Sequence, residues 1–268
     1  MYAVTAMDRA VRSPFRIQRD VLYALLLLEL SSRFGKSRGG FFWVLVEPIA
    51  HLLVPVLIFT YIRARLVPGV EYPVFLVYGF LPFLLFKAIC LQIIDATNAS
   101  QGLLSYRQVM LMDIFIARAI GHFVIYAVVF SVVLTGLGML GFSVFPLRPI
   151  ELAGVIVMTF LMAFGLGLLF AAVSSLVPDA RTAIKIFFMP LYFASGILFP
   201  VTRFPDEWVQ KLAYNPVLHL VELSRVAAVE GYRPMPYTSI EYPLALGLVT
   251  TLIGLMLYRR RFLTKVTT

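Results

Sequence analysis

The chain has 268 residues, 60% of them hydrophobic and 14% charged, whereas a soluble domain carries about 25% charged residues. That composition excludes an ordinary soluble domain, and 23 Phe, 13 Tyr and 10 Met are too much apolar surface for a disordered chain. The net charge of +9 would suggest nucleic acid in a soluble protein, but in a membrane protein it marks sidedness, so no nucleic-acid partner is expected. The class is all-α and polytopic, and at about 20 residues per crossing the length accommodates about six spans.

In chain order, Pro14–Phe34 comes first. Its apolar core, Val21–Leu30, contains Glu29 and is fenced by Asp20 and Arg33, which is too short to cross a bilayer. Ser31-Ser32-Arg33-Phe34 offers no signal-peptide cleavage site, and the segment is predicted to be an amphipathic helix on the membrane surface. Spans are predicted at Phe42–Ile62, Pro73–Ile94, Ile114–Phe142, Leu152–Val177, Ile186–Val201 and Pro243–Tyr258. The last two are short, about 24 Å at 1.5 Å per residue against a core of about 30 Å. Val217–Val229 is apolar on one side but carries His219, Glu222 and Arg225. It is predicted to be a re-entrant or interfacial helix, with Thr202–Asn215 as the other arm of the excursion.

Charge sets the orientation. Met1–Phe41, Asp95–Asp113 with Arg118, Pro178–Lys185 and Arg259–Thr268 together hold 15 basic and 6 acidic residues, while the other side balances at 7 and 7. The whole excess falls on one side, which the positive-inside rule makes the cytoplasm, so both termini are expected inside.

Motifs for covalent chemistry are weak. Gly35-Lys36-Ser37 lacks the glycine five residues upstream (position 30 is Leu30) and the preceding strand that a phosphate-binding loop needs, so any ATP must be handled by another chain. His51, His122 and His219 lie in separate segments with no metal-ligand spacing, and there is no nucleophile elbow. Asp206-Glu207 reads as a solvated turn, and the glycosylation pattern Asn98-Ala99-Ser100 falls in a loop placed in the cytoplasm. Cys90 reads as a small buried hydrophobe.

Charges inside spans are the stronger signals, because one at mid-bilayer costs about 2.5–3.5 kcal/mol on insertion scales. Glu47 and His51 share a helical face, and Lys87 lies in the inner half of its span. A Glu47–Lys87 pair either fixes two helices or lines a path for a polar substrate. Ala163, Gly167, Ala171 and Ser175 form a small-residue stripe for close packing, with a dimer seam as one possible use. Among many aromatics, including Trp43 and Tyr192, a subset lining a conduit could stack on sugar rings. The loop around Asn98–Arg107 is either an ordinary connection or a short helix that docks a cytoplasmic partner.

At several of these places the chain resembles a known family. Arg33-Phe-Gly-Lys-Ser-Arg-Gly-Gly-Phe-Phe-Trp43 and Val46-Glu-Pro-Ile-Ala-His-Leu-Leu53 are similar to the start of ABC-2 type polysaccharide-export permeases. Within these, the likeness is greater to the KpsM-type permease of Gram-negative capsule exporters. Pro73-Val-Phe-Leu-Val-Tyr-Gly-Phe-Leu-Pro82, Gln101-Gly-Leu-Leu-Ser-Tyr-Arg107, Pro190-Leu-Tyr-Phe193 and Asn215-Pro-Val-Leu-His-Leu-Val-Glu-Leu-Ser-Arg225 continue the series in order. Gln108 departs from it, standing where the family pattern leads one to expect Pro.

The resemblance implies the ABC-2 (type V exporter) fold: a homodimer of six-span subunits, each with a cytoplasmic ATPase that binds ATP and Mg²⁺. It makes Pro14–Phe34 an interface helix and Thr202–Val229 a periplasmic re-entrant pair. Ser100, Gln101, Gly102, Leu103, Leu104, Ser105, Tyr106 and Arg107 become a coupling helix that docks the ATPase. The implied cargo is a lipid-linked, often acidic capsular polysaccharide, passed from the bacterial inner membrane to periplasmic and outer-membrane export proteins. Arg33, Lys36 and Arg38 beside Trp43, with Glu47, His51, Lys87 and Tyr192, are the candidates for the substrate path, the basic ones by raising the local concentration of an anionic polymer; headgroup anchoring is the alternative for the arginines and Lys36. This chain itself is expected to be no enzyme. Permeases for O-antigen or teichoic-acid polymers, a membrane transferase acting on lipid-linked sugars, and a stand-alone channel are the alternatives.

Overall fold

The computed structural model describes residues 13–34, 46, 49–50, 52–58, 70–99, 102–177 and 179–260, with side chains at 33, 34, 98 and 99 excepted. The described residues are helical, with no strand among them. The helices are α1 (Pro14–Phe34), α2 (Tyr72–Ala99), α3 (Leu111–Met139), α4 (Pro149–Leu176), α5 (Ala180–Ala194), α6 (Asp206–Leu212), α7 (Pro216–Ala228) and α8 (Glu241–Tyr258). Single 3-10 turns at Leu103–Ser105 and Val201–Arg203 interrupt the connections. Among the described residues, four helices are long and apolar enough to cross a membrane: α2, α3, α4 and α8. Of the predicted first span, Phe42–Ile62, residues 46, 49–50 and 52–58 are described and helical; the others lie outside the described residues.

The centre of the bundle is α2, against which α3, α4, α5 and α7 all pack. Every residue from Tyr72 to Phe86 is buried, and up to Ala96 only Lys87, Leu91, Gln92 and Asp95 are not. The outer surface is made instead by stripes at four-residue spacing: Ile120, Val124, Val128 and Val132 on α3, and Leu244, Leu248, Leu252 and Met256 on α8, all exposed. Apolar stripes of this kind are stable only against lipid or another apolar surface.

The most extensive contact is between α4 and α8, and glycine makes it possible. A Cβ on Gly165 would sit 2.5 Å from Thr251 Oγ1 and 2.6 Å from its backbone nitrogen. One on Gly247 would meet the Met162 backbone at 3.2 Å, and one on Gly254 the Leu168 Cβ at 2.7 Å. The small-residue stripe on α4 has a different use from the dimer seam considered above. Ala163 and Ala171 are wholly buried, and Gly167 faces Ile93 and Cys90 of α2. From Ala163 to Ala171 the stripe is interior, with small residues letting the α2 and α4 backbones approach, while Ser175 at its end is exposed.

Several helix ends differ from those read in the sequence, most of all in α5 and at the end of α2. The predicted fifth span, Ile186–Val201, is instead a helix that starts at Ala180, because Arg181 and Lys185 are held by Asp95 and need no aqueous loop. It ends at Ala194, where Gly196 turns the chain at φ +62°, a left-handed conformation that closes helices and suits glycine. Asp95, read above as the start of a loop, is still inside α2, which continues to Ala99.

Candidate functional site

The described residues place chemistry at three levels of the bundle. At one end, α7 is anchored by polar groups in a dry interior. Asn215 caps it by accepting the Val217 amide at 3.0 Å, and Pro216 opens the first turn, where no amide is needed. Arg225 is wholly buried. Its guanidinium donates to the carbonyls of Phe75 (3.2 Å), Gly196 (2.9 Å) and Ile197 (2.7 Å) and lies 3.6 Å over the Phe75 ring. Glu222, equally buried, is 3.5 Å from Arg225 and accepts from the Tyr232 hydroxyl at 2.8 Å and the Met235 amide at 2.9 Å. Burial pushes the Tyr232 hydroxyl above its ordinary range against a smaller opposing pull from Arg225, so it stays protonated and donates. His219 accepts the Ser239 amide on Nδ1 at 3.0 Å and so carries its proton on Nε2, 2.7 Å from the Ala213 carbonyl.

The sequence of α2 prepares this seat. Pro82 lies inside the helix and has no amide to give the Tyr78 carbonyl. The Ser224 hydroxyl of α7 donates to that carbonyl instead. Gly79 leaves the space that the Arg225 guanidinium occupies; a Cβ there would run into it. With every polar atom partnered, the cluster reads as a joint between α7 and α2 and does not face a ligand.

At mid-height are Lys87 and Tyr192. Lys87 is half-buried on the open strip of α2 and has no hydrogen bond or ion pair among the described residues. Glu47 and His51 lie outside the described residues, and with them the proposed Glu47–Lys87 pair. Tyr192 packs edge-on against Phe83 at 5.4 Å and tilted against Phe80 at 5.9 Å, so its ring fastens α5 to α2. Phe187 and Phe193 point outward from α5, while Phe188 is buried beside Phe86. The structure therefore brings Lys87 and Tyr192 onto neighbouring helices. Lys36, Arg38 and Trp43 lie outside the description, as does the Arg33 side chain.

The opposite end holds the predicted docking loop. Ser100 and Gln101 are outside the described residues. Gly102, Leu104, Ser105, Tyr106 and Arg107 are exposed, and Leu103 is half-buried. The helix expected here is a single turn, Leu103–Ser105, closed by the Ser105 hydroxyl on the Gly102 carbonyl at 2.8 Å. Tyr106, 66% exposed, and Leu104 present apolar surface at the tip. Around the loop, Asp95 binds Arg181 (2.6 Å) and Lys185 (3.1 Å) of α5. Asp113, buried at the start of α3, accepts from Gln18 of α1 and caps its own helix through the Met110 amide at 2.9 Å. Glu29 of α1 lies 3.5 Å from Arg118. The exposed side of α1 carries Phe15, Tyr23, Leu27 and Leu28, a face suited to lipid.

Sequence reasoning identified the charged residues of α7 but not their partners, which are mostly backbone carbonyls. It also gave no role to Asp95, Asp113 or Gln18. The one signal available was Pro82, which frees a carbonyl; the partner of Arg181 and Lys185 is 86 and 90 residues away in sequence. Among the described residues no cluster of His, Cys, Asp and Glu is arranged to hold a metal.

The helical architecture, with four helices able to cross a membrane among the described residues, is that of a polytopic membrane protein, and similarity to known proteins identifies its family. Residues 20–229 match the family model of the ABC-2 type transporter, and the chain belongs to that family. It is 38% identical over 250 residues, 93% of this chain and 96% of the relative, to the polysialic acid transport protein KpsM of Escherichia coli. It is 27% identical to the capsule polysaccharide export inner-membrane protein CtrC of Neisseria meningitidis, over 91% of this chain and 92% of that one. The O-antigen export system permease protein RfbA of Myxococcus xanthus is also 27% identical, over 80% of this chain and 82% of its own.

Proposed function

We propose that this chain is the membrane-spanning permease of an ATP-driven exporter that moves a lipid-linked, acidic capsular polysaccharide across the bacterial inner membrane. The observation that carries the proposal is the 38% identity to KpsM, maintained along nearly the whole of both chains. CtrC, named for capsule polysaccharide export, supports the same substrate class. The two termini and the 102–110 loop face the cytoplasm in this reading, following the positive-inside rule. Two copies of the chain assemble with two ATPase subunits, which bind ATP and Mg²⁺, and the polymer passes on to periplasmic and outer-membrane proteins.

The chain's own residues then act by position. The tip formed by Leu104 and Tyr106 seats the ATPase. Lys87, near the middle of α2, meets the anionic polymer. An O-antigen polymer is the second reading, favoured by the RfbA relative.

The deciding experiment is copurification. The tagged chain is expected to bring down an ATPase that turns over ATP in the complex, while the chain alone does not. Leu104→Asp with Tyr106→Asp is expected to abolish that copurification without loss of the membrane-inserted chain. Retention of the ATPase by this variant would remove the loop from the docking role. A purified chain forming glycosidic bonds unaided would replace the transport reading with a transferase. Analysis of the polymer accumulated inside cells lacking the chain separates capsule from O-antigen.

Lys87→Met is expected to lower export about tenfold, the smaller end of what a focused charge contributes to local concentration, with the ATPase still bound. Undiminished export by an assembled Lys87→Met complex would leave Lys87 with no part in the path.

A further inference from the structure

Two carboxylates bracket the exposed 102–110 loop, and each binds a different helix. Asp95, seven residues before Gly102, receives the Arg181 Nη2 at 2.6 Å and Nε at 3.0 Å on one oxygen, and Lys185 Nζ straddles the carboxylate, 3.1 Å from that oxygen and 3.2 Å from the other. Arg181 and Lys185 are four apart on the first turns of α5, so one acid grips a single face of that helix. The rest of α5 is lightly held: among its residues only Phe188 is buried, while Ile184, Leu191 and Tyr192 pack half-buried against the core and Phe188 and Tyr192 make ring contacts with α2. Asp113, three residues after Met110, uses one oxygen to fix the Met110 amide and the other to accept Gln18 of α1. The last turns of α2, which lead into the loop, are thus bonded to α5, and the far end of the loop, through one shared carboxylate, to α1.

We infer that Asp95 and Asp113 are positioning residues that hand a displacement of the loop to α5 and to α1, respectively. The inference rests on the reading of the loop as the ATPase seat. Its physical basis is directional: a carboxylate gripped by an arginine fork fixes orientation as well as distance, whereas an apolar contact between the same helices would let them slide. Asp95, Arg181 and Lys185 are each about one-third exposed, and pairs in that setting add little to stability. Their arrangement around the loop suits transmission better than folding.

The test uses the complete complex of permease and ATPase, with ATP hydrolysis measured on purified material and export measured as surface polysaccharide on cells carrying the chain as their only copy. Asp95→Asn is expected to keep the ATPase bound and hydrolysis within about twofold of wild type while export falls about tenfold, within the range by which such coupling residues act. Asp95→Glu, which keeps the charge, should recover most of the export. Gln18→Leu, which breaks the α1 tie and leaves the Asp113 cap intact, should lower export in the same uncoupled manner. Normal export in both Asp95→Asn and Gln18→Leu overturns the inference. Loss of the assembled complex in Asp95→Asn, or failure of Asp95→Glu to recover export, makes the clamp a structural tie and overturns it too. Failure of the wild-type chain to retain any ATPase would instead sink the docking reading on which the inference stands.

Discussion

Arg225→Met is expected to be the most damaging single substitution at a residue that no substrate touches. The guanidinium serves three carbonyls on two segments, Phe75 in α2 and Gly196 and Ile197 after α5, and faces Glu222 in an interior without solvent. Removing one partner of a buried ion pair leaves the other charge uncompensated and costs about 3–5 kcal/mol. The detergent-solubilised protein should unfold about 10 °C or more below wild type. Combining Glu222→Gln with Arg225→Met should recover part of the loss, because the stranded carboxylate is then gone; the two losses are expected not to add. A melting temperature for Arg225→Met within about 2 °C of wild type, the effect of about 1 kcal/mol or less, would mean that α7 is held by its apolar face alone.

The second large effect is expected at Gly165. Its missing side chain lets α8 approach α4 until Thr251 backbone and hydroxyl would both lie within 2.6 Å of a Cβ. A hydroxyl can rotate away, but a helix backbone cannot. Gly165→Leu must push the helices apart along their whole contact, and overpacking of this kind costs about 1–3 kcal/mol or more. Thermal unfolding should shift downward, with α8 becoming accessible to protease before the rest of the chain. Gly102→Ala is the matched control, since nothing lies within 4 Å of a Cβ there, and it should be silent. Equal behaviour of the two variants would contradict the close approach of α4 and α8.

The sequence made some of this legible and hid the rest for physical reasons. The uncharged run Leu152–Val177 and the helix Pro149–Leu176 coincide within three residues because no charge interrupts the run and the hydroxyls of Thr159 and Ser175 bond back to helix carbonyls. The ends of α5 were harder. Arg181 and Lys185 look like loop residues until Asp95, 86 and 90 residues away, supplies their counter-charge. Hydropathy also cannot tell that Phe80 and Phe83 are interior while Phe187 faces outward, since lipid and protein core are equally apolar. The central place of α2 therefore leaves no mark in composition. At Arg225 the i,i+3 relation to Glu222 is visible in the sequence. Its other partners are backbone carbonyls, which have no residue-type signature. Pro82 and Gly79 were the only hints, as an orphaned carbonyl and a vacant space.

One buried atom has a practical meaning for the experiments above. Cys90 is wholly enclosed between α2 and α4, with its sulfur 3.2 Å from the Ala163 carbonyl, and it is the only cysteine in the chain. A thiol without solvent access is inert toward labelling reagents. The native sequence is therefore already a silent background for site-directed thiol chemistry. A cysteine introduced at Tyr106 or at Ile186, both well exposed, would be the single reporter on its chain, with no alteration of the interior needed to make it so.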